Sequence, residues 1–182
     1  WWRSEVDRLI NGAAQHPATR VLQAAVALPR DSWNLLHEVL SAADMDLARL
    51  TYHSMEELGA YCARSSGAIH ELAALHALAP ATAEAAVRSA VNRIAAGVRQ
   101  TEILRDLRED CRAGRLYLPL DLLERHHVGL SELQQPKFST ATRAALREYC
   151  ASVLERLDAA LAALARSVPA ALRPLLVLAA LH

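Results

Sequence analysis

The sequence predicts an all-α helical bundle, and three observations support this prediction. Glycine and proline, which interrupt helices, number only 6 and 7 among 182 residues, so long stretches of Ala, Leu, Arg and Glu run without a helix breaker. Aromatic residues make up 4% of the chain although hydrophobic residues make up 53%, which argues against a β-sandwich or a doubly wound sheet. Capping residues recur at spacings that suit short connections between helices. At roughly 100–200 residues per domain, residues 1–182 are expected to form one domain.

Prolines divide the N-terminal part of the chain into three helices. An amphipathic segment over residues 1–14 stops before His16-Pro17, and a second helix is predicted from Thr19 to Leu28, just ahead of the next proline. Asp31 or Ser32 is expected to cap a third helix, since both side chains accept hydrogen bonds from the free N–H groups of a helix start.

The longest predicted helices lie in the middle of the chain. Ser54, followed three positions later by Glu57, matches a capping box and opens a helix of about 25 residues. Pro80-Ala81-Thr82 starts a still longer helix that continues to Gly114, because proline fits the first helical turn. Three further predicted helix starts lie nearer the C-terminus: Ser131, Ser139 and Pro169. Short connections between such helices are typical of a bundle.

The charge balance excludes functions that depend on a strong overall field. Twenty Lys and Arg balance twenty Asp and Glu, so the composition does not attract the chain to nucleic acid or to an anionic membrane. No apolar run reaches the roughly 18 residues that a membrane-spanning helix needs. Any association with a membrane is therefore expected to be peripheral.

The cysteines and the first residues indicate a cytoplasmic protein. The cysteines are three in number and widely spaced, at positions 62, 111 and 150, which fits neither a disulfide framework nor a metal-binding knuckle. A reducing compartment is the expectation. The chain opens on Trp1-Trp2-Arg3, without an initiator Met or a signal sequence, so we expect it to be a piece of a longer protein.

The helix predicted over residues 81–114 carries the candidate site. At 100° per residue, four apolar residues form one stripe in its first half: Val87, Val91, Ile94 and Val98. Continued toward the C-terminus, the stripe meets four carboxylates: Glu102, Asp106, Glu109 and Asp110. Asp106 and Asp110 are four positions apart, so they share one helix face and can jointly hold a divalent cation. We predict that both face a cavity inside the bundle.

The same charges allow a second interpretation. Glu102 precedes Arg105 by three positions, and Arg105 precedes Glu109 by four, which are spacings that suit ion pairs on a solvated helix face. In this alternative the carboxylates bind no metal.

Two sequence blocks resemble the second aspartate-rich motif of the squalene/phytoene synthase family. The first, Ile103 to Asp110, reads I-L-R-D-L-R-E-D where the family pattern is I-L-R-D-x-x-E-D. The second, Gly114 to Pro119, reads G-R-L-Y-L-P and follows at the family's spacing. Further residues have family counterparts upstream: Trp2, Arg3, Ser4, Glu5, His16, Pro17, Asp46, Leu47, Tyr52, Ser54, Glu57, Leu58, Tyr61, Cys62 and Gly67.

The resemblance implies a bundle of the isoprenoid synthase type with a central cavity, here incomplete at both ends. Such enzymes bind two prenyl diphosphates, farnesyl or geranylgeranyl diphosphate, and ionise one with Mg²⁺. The cation is trapped as a cyclopropyl diphosphate and is rearranged to a C30 or C40 hydrocarbon, with or without NADPH. Because a cation must be kept from water, the cavity needs apolar walls, which the Ala- and Leu-rich helices can supply.

The resemblance also assigns metal and diphosphate ligands. Asp106 and Asp110 would bind Mg²⁺, and Glu102, which stands where the family has Asn, has a carboxylate that can also bind the metal. Arg105 and Arg115 would lie near the diphosphates, since guanidinium forks match phosphate oxygens.

Tyr61 is the candidate catalytic residue. It corresponds to the tyrosine of the family's Tyr-Cys pair, to which a role in handling the cation and the proton of the first half-reaction is assigned. The alternative is that Tyr61 is a half-buried core residue.

Departures from the family pattern support a different class of function. The first aspartate-rich motif is absent, since Asp44-Met45-Asp46 has the wrong spacing and place. Arg99 replaces a family Gln and can pair with Glu102, so an internal ion pair could replace a metal ligand. The alternative is a non-catalytic scaffold, like the mitochondrial assembly factor for respiratory complex I that carries this domain. With one acidic motif, the 182-residue chain is expected to be inactive by itself.

The histidines are interpreted as solvated or core residues. His70-Glu71 with His76 resembles a zinc-binding helix motif but has four residues, not two, between Glu and the second His, so the two imidazoles cannot share one zinc on one helix face.

Overall fold

The computed structural model describes residues 1–78, 84–164 and 170–181. Within these ranges all regular elements are helical, which confirms the predicted all-α class. None of the described helices combines the length and the apolar character that crossing a bilayer requires. The three cysteines are free, in agreement with their spacing.

The described ranges contain ten α-helices. The first five are α1 (Trp2–Ile10), α2 (Pro17–Ala25), α3 (Leu35–Leu47), α4 (Met55–Cys62) and α5 (Ala68–Ala77). The others are α6 (Ala85–Arg112), α7 (Leu120–Arg125), α8 (Leu130–Leu133), α9 (Thr140–Leu164) and α10 (Arg173–Leu181). Short 3₁₀ turns, Arg30–Asn34 and Ala170–Leu172, precede α3 and α10, and a π-helical turn, Ala63–Gly67, joins α4 to α5.

Helix α6 is the centre of the bundle, and α4, α5, α9 and α10 pack around it. The crossing with α9 is close because position 97 is glycine. A Cβ at Gly97 would lie 2.4 Å from Cδ2 of Leu157, which is buried. The absence of a side chain therefore lets the two longest helices approach each other.

Side-chain caps confirm two predicted helix starts. The Ser54 hydroxyl accepts a hydrogen bond from the Glu57 N–H at 3.3 Å, and the Glu57 carboxylate accepts one from the His53 N–H at 2.6 Å. The Ser139 hydroxyl accepts a hydrogen bond from the Thr142 N–H at 3.0 Å. The 23-residue stretch from α4 to α5 matches the predicted long helix, except that a π turn interrupts it.

Other predicted boundaries are wrong by a few residues for local reasons. Helix α1 ends at Ile10 rather than near residue 14, because Gly12 takes a positive φ of 74°. Helix α2 begins at Pro17 rather than at Thr19, and the His16 imidazole accepts its cap hydrogen bond from Ala18 N–H. The helix also ends at Ala25 rather than at Leu28.

Two predicted caps are replaced by neighbouring residues. Asp31 and Ser32 lie inside a 3₁₀ turn, and α3 begins after Asn34. Helix α8 begins after Gly129, where Ser131 had been expected as the cap. The predicted starts at Pro80-Ala81-Thr82 and at Pro169 lie outside the described residues.

A buried carboxylate organises the turn between α1 and α2. Glu5 accepts hydrogen bonds from the Thr19 hydroxyl and from the N–H groups of Gln15 and His16, at 2.8 and 2.7 Å for the latter two. Arg8 donates to its other oxygen at 2.7 Å. The hydrogen bond from Thr19, followed by those of His16, Gln15 and Arg8, lowers the pKa of Glu5 from 4.5 to about 2.

Two backbone hydrogen bonds join the loop before α4 to the start of α7. The Leu120 N–H donates to the Tyr52 carbonyl at 2.9 Å, and the Asp121 N–H donates to the His53 carbonyl at 3.0 Å. This backbone clamp brings the segment after α6 beside the segment after α3.

Candidate active site

A cavity of about 330 Å³ lies between α3, the α4–α5 stretch and α6. We call it the Asp46 cavity. Its lining residues are Val39, Ala42, Ala43, Asp46, Tyr61, Ser65, Ser66, Ile69, His70, Arg99 and Glu102. Two of the residues predicted from the sequence, Tyr61 and Glu102, therefore meet at one cavity.

Asp46, in the last turn of α3, accepts hydrogen bonds from two tyrosines. The Tyr61 hydroxyl lies 2.9 and 3.0 Å from the two carboxylate oxygens, and the Tyr117 hydroxyl lies 2.8 Å from Oδ1. The segment after α6 supplies Tyr117, within the G-R-L-Y-L-P block. The carboxylate thus connects the G-R-L-Y-L-P block with Tyr61, one of the upstream residues that have family counterparts.

The two tyrosines belong to a stack of three buried rings, the tyrosine cluster of Tyr52, Tyr61 and Tyr117. Adjacent ring centroids are 5.3 and 5.6 Å apart, with Tyr61 in contact with both of the others. Burial raises the pKa of Tyr61, so its hydroxyl stays protonated and donates to Asp46. Tyr61 is only 1% exposed, more buried than the half-buried core alternative supposed, although it is one of the residues that line the cavity.

Arg99 forms the ion pair that the sequence suggested. Its Nη1 lies 3.2 Å from Oε2 of Glu102, and Tyr61 lies close by. Burial opposes the charge, but the interactions with Tyr61 and Glu102 outweigh burial and raise the pKa of Arg99. The cavity therefore holds a permanent cation between a phenol and a carboxylate.

The predicted apolar stripe is confirmed in the first half of α6 and is wrong in the second half of the helix. Val91, Ile94 and Val98 are buried, and Val87 packs partly against the core. Beyond them the buried face continues through Ile103, Leu107 and Cys111 instead of passing into carboxylates. Each of these residues lies 100° around the helix from the carboxylate just before it, so Glu102, Asp106 and Asp110 occupy the edge of the buried face.

Asp106 and Asp110 follow Glu102 by one and two helical turns. Asp106 is bound by Arg105, whose Nε and Nη2 lie 2.8 and 2.9 Å from the two carboxylate oxygens, and this hydrogen bonding lowers the pKa of Asp106. With 41% of its side chain exposed, Asp106 does not face an enclosed cavity as predicted. Asp110 is half-buried, and burial together with the nearby Asp106 charge raises its pKa.

The two predicted diphosphate ligands lie on the same edge. Arg105 is exposed and directed to Asp106, and the Arg115 N–H donates to the Asp110 carbonyl at 2.8 Å at the end of α6. The positive charge of Arg115 acts against the rise in the pKa of Asp110. Arg105 pairs with Asp106, and Glu102 pairs with Arg99. These ion pairs form instead of the two that the sequence spacing allowed, Glu102 with Arg105 and Arg105 with Glu109.

The donor set fits a magnesium ion only in part. In the described ranges, no three His, Cys, Asp or Glu side chains come together closely enough to hold a metal. Mg²⁺ is commonly held by one or two carboxylates, with waters and substrate phosphates completing its coordination. Asp106 and Asp110, one helical turn apart, can supply two such carboxylates. Burial raises the pKa of Asp110, and a bound cation would stabilise its charged form.

Sequence reasoning missed three polar residues of the cavity wall. Ser65, Ser66 and His70 line it, whereas the histidines had been interpreted as solvated or core residues. The π turn displaces the residues after it around the helix, and nothing in the sequence signals such a turn. Their alignment with Asp46 and Arg99 arises only from packing of α3 and α6 against this stretch.

Comparison with known sequences points to one family. The squalene/phytoene synthase family matches residues 1–182. Phytoene synthase from Arthrospira platensis is 31% identical over 163 residues, which is 80% of this chain and 50% of that protein. The 15-cis-phytoene synthase of Synechocystis sp. is 30% identical over 142 residues, or 72% of this chain and 42% of that protein. The chain therefore spans about half the length, or less, of these curated relatives.

Two crystal structures share the fold. Squalene synthase HpnC from Alicyclobacillus acidocaldarius superposes with a TM-score of 0.84 at 21% identity, covering 98% of this chain and 67% of that one. A dehydrosqualene synthase superposes with a TM-score of 0.78 at 17% identity, covering 98% and 62%. The described residues thus have the all-α isoprenoid synthase fold.

Proposed function

The chain belongs to the squalene/phytoene synthase family, and we propose that the protein containing it joins two prenyl diphosphates head to head in a magnesium-dependent reaction. Farnesyl and geranylgeranyl diphosphate are the candidate substrates. One observation carries the proposal: the acidic edge of α6 leads directly into a cavity that contains Tyr61 and Asp46.

Each residue of this edge has a role that its surroundings support. Asp106 and Asp110 would hold Mg²⁺, with Glu102 next to them, and the metal would neutralise the diphosphate charge and favour its departure. Arg105 can exchange Asp106 for a phosphate oxygen, since its pairing is on the surface and of small net strength. Arg115, exposed beside Asp110, supplies a second guanidinium.

Tyr61 is suited to keep the proton of its own hydroxyl and not to act as a base. Its hydroxyl donates to Asp46, so its proton is fixed on the side of the carboxylate. Because Tyr61 lines the cavity, its aromatic ring and its fixed hydroxyl dipole can stabilise a nearby carbocation.

The experiment is product analysis with the whole protein. Farnesyl or geranylgeranyl diphosphate is incubated with Mg²⁺, and hydrocarbon and diphosphate products are measured by mass spectrometry. Replacement of Asp106 and Asp110 by Asn should reduce turnover by at least about 100-fold. Glu109→Gln, an exposed carboxylate on the same helix, is the matched control and should have little effect. Equal losses in both variants would contradict the assignment.

A non-catalytic scaffold is the second candidate, and one observation favours it. Two of the three carboxylates assigned to the metal are already paired with arginines, Glu102 with Arg99 and Asp106 with Arg105. If these pairs replace the metal, Mg²⁺ with diphosphate will not raise the thermal stability of the whole protein, and no prenyl product will form. Stabilisation by Mg²⁺ and diphosphate together would favour the enzyme.

A further inference from the structure

We propose that a groove on a different side of α6 from the Asp46 cavity binds a small organic anion, a carboxylate or a phosphate ester. The groove has a volume of about 340 Å³ and lies between α4 and α9, with α6 as its floor. We call it the Gly59 groove, and its lining residues are Glu56, Gly59, Ala63, Asn92, Arg93, Ala96, Gly97, Gln100, Arg156 and Ala159. The inference is independent of the proposed reaction, because the groove shares no lining residue with the Asp46 cavity.

An unpartnered amide marks the floor of the groove. Gln100 is only 2% exposed, and its Nε2 has no hydrogen-bond partner among the described residues. The other amide of the groove, Asn92, already donates to Glu71 at 3.2 Å. A buried donor without an acceptor costs free energy, which is why most such groups in folded proteins are paired. Because Gln100 lines the groove, an acceptor that enters there can supply the missing partner.

The helix packing leaves room for a ligand. Helices α4 and α9 both pack against α6, and Arg156 of α9 reaches across to α4, where its Nη1 donates to the Met55 carbonyl at 3.3 Å. Half of the lining residues are glycine or alanine: Gly59, Ala63, Ala96, Gly97 and Ala159. Sites for small molecules measure about 300–1,000 Å³, so this groove suits a ligand at the small end of that range with a slim apolar part.

Two nitrogen donors lie close to Gly59. A Cβ at this position would lie 3.2 Å from Nη1 of Arg156 and 4.0 Å from Nε2 of Gln100. Because glycine has no side chain, nothing of residue 59 fills the space beside the two nitrogens. A carboxylate or a phosphate has at least two acceptor oxygens and can therefore accept hydrogen bonds from both donors at once.

The charges around the groove also favour an anion. Arg93 and Arg156 are exposed, and among the described residues their guanidiniums donate only to backbone carbonyls, Arg93 to that of Ser89 at 3.3 Å. The lining residues include one carboxylate, Glu56, against these two guanidiniums. Guanidinium groups match the geometry of carboxylate and phosphate oxygens. The groove thus combines excess positive charge with an unpaired donor.

The test follows the Gln100 side chain by NMR in the whole protein. The protein is labelled with ¹⁵N-glutamine, and the NH₂ signals of Gln100 are identified by their loss in Gln100→Met. Butyrate and monobutyl phosphate are the probes, and butyramide is the neutral analogue. EDTA is present, so that the acidic edge of α6 cannot bind phosphate through a metal ion. We expect the Gln100 signals to shift saturably with at least one anion and not with butyramide. The anion with the lower Kd identifies the head group.

Three variants test the geometry of the groove. Arg156→Gln removes one guanidinium and should raise the Kd of the probe at least about 10-fold, because a charge-assisted hydrogen bond is lost. Gly59→Ala places a methyl group beside both donors without changing the charge, and it should raise the Kd as well. Arg147→Gln is the matched control, because Arg147 is an exposed arginine on the same helix as Arg156 but does not line the groove. Its Kd should be unchanged.

The contrary outcomes are specific. Absence of a saturable shift at Gln100 with both anions would overturn the inference, and so would an equal shift with butyramide. Equal increases of the Kd in Arg156→Gln and Arg147→Gln would show attraction by overall charge and not a site. An unchanged Kd in Gly59→Ala would place the anion elsewhere. None of these measurements depends on turnover, so each leaves the proposed function standing.

Discussion

The Tyr117 hydroxyl donates a hydrogen bond to Oδ1 of Asp46 at 2.8 Å, across 71 positions of sequence. The same oxygen accepts the Tyr61 hydroxyl at 2.9 Å. One carboxylate therefore fixes two rings of the tyrosine cluster, and through them the position of the G-R-L-Y-L-P block relative to α4.

Replacement of Asp46 by Asn should destabilise the whole protein. Hydrogen bonds to a charged acceptor contribute about 1.5–3 kcal/mol each, and Asn keeps one acceptor oxygen without the charge. We expect the free energy of unfolding, measured by urea denaturation, to fall by about 1–3 kcal/mol. Asp44→Asn is the control, because Asp44 is exposed and forms only a surface pair with Arg3. Similar losses in the two variants would show that the tyrosine hydrogen bonds contribute little.

Glu102→Asn should keep or raise magnesium-dependent turnover. The change restores the family residue and removes a negative charge one helical turn from Asp106. Turnover of the prenyl diphosphate is the measurement, with circular dichroism to verify the fold. A variant that is folded but inactive would show that the Arg99–Glu102 pair has an essential role. The double variant Arg99→Gln/Glu102→Asn then tests whether the pair acts as a unit.

Because of Glu5, the stability of the protein is expected to fall as the pH becomes acidic. Its hydrogen bonds, from Thr19 first, hold its pKa near 2 in the folded state against an ordinary 4.5. The folded state thus binds fewer protons than the unfolded state, so the contribution is complete above pH 4.5 and is lost as pH falls toward 2. Thermal unfolding of Glu5→Gln should show a lower Tm than wild type at pH 7, with the difference narrowing toward pH 2. A constant difference would contradict the shift.

Gly97→Ala should destabilise the packing of α6 against α9. Alanine favours a helix by about 1 kcal/mol over glycine, but the new Cβ would lie 2.4 Å from Cδ2 and 2.6 Å from Cγ of Leu157. Overpacking of this kind costs about 1–3 kcal/mol, so we expect a net loss by urea denaturation. Gly129→Ala, where the nearest atom is 3.8 Å away, is the control. An unchanged or raised stability in Gly97→Ala would show that Leu157 moves aside freely.

The helices and the family could be predicted from the sequence because their signals are local. Ser54 and Ser139 cap helices through N–H groups three residues away, and the motif on α6 lies within one helical stretch. The errors have local causes as well. Helix α1 ends before Gly12, whose φ is positive, and α2 starts after His16, whose imidazole caps it. The composition of the sequence reveals neither feature.

The candidate site was predictable only in part. Tyr61, Glu102 and Arg99 were identified from motif positions, and the structure places all three at one cavity. The role of Asp46 could not be read from its neighbours, since its partners Tyr61 and Tyr117 lie 15 and 71 positions away. Asp106 was predicted to face a cavity, but its side chain is 41% exposed. Helical periodicity alone does not show which side of a stripe of residues packs against the core.

The backbone clamp between residues 52–53 and 120–121 sets the order in which the protein can assemble. It joins parts of the chain separated by the whole of α4, α5 and α6, and contacts this distant form late because loop-closure entropy opposes them. Tyr52 lies in the clamp and Tyr117 just before it, so the tyrosine cluster is complete only when this long-range contact has formed. A nascent chain that has not yet reached Tyr117 cannot complete the cluster.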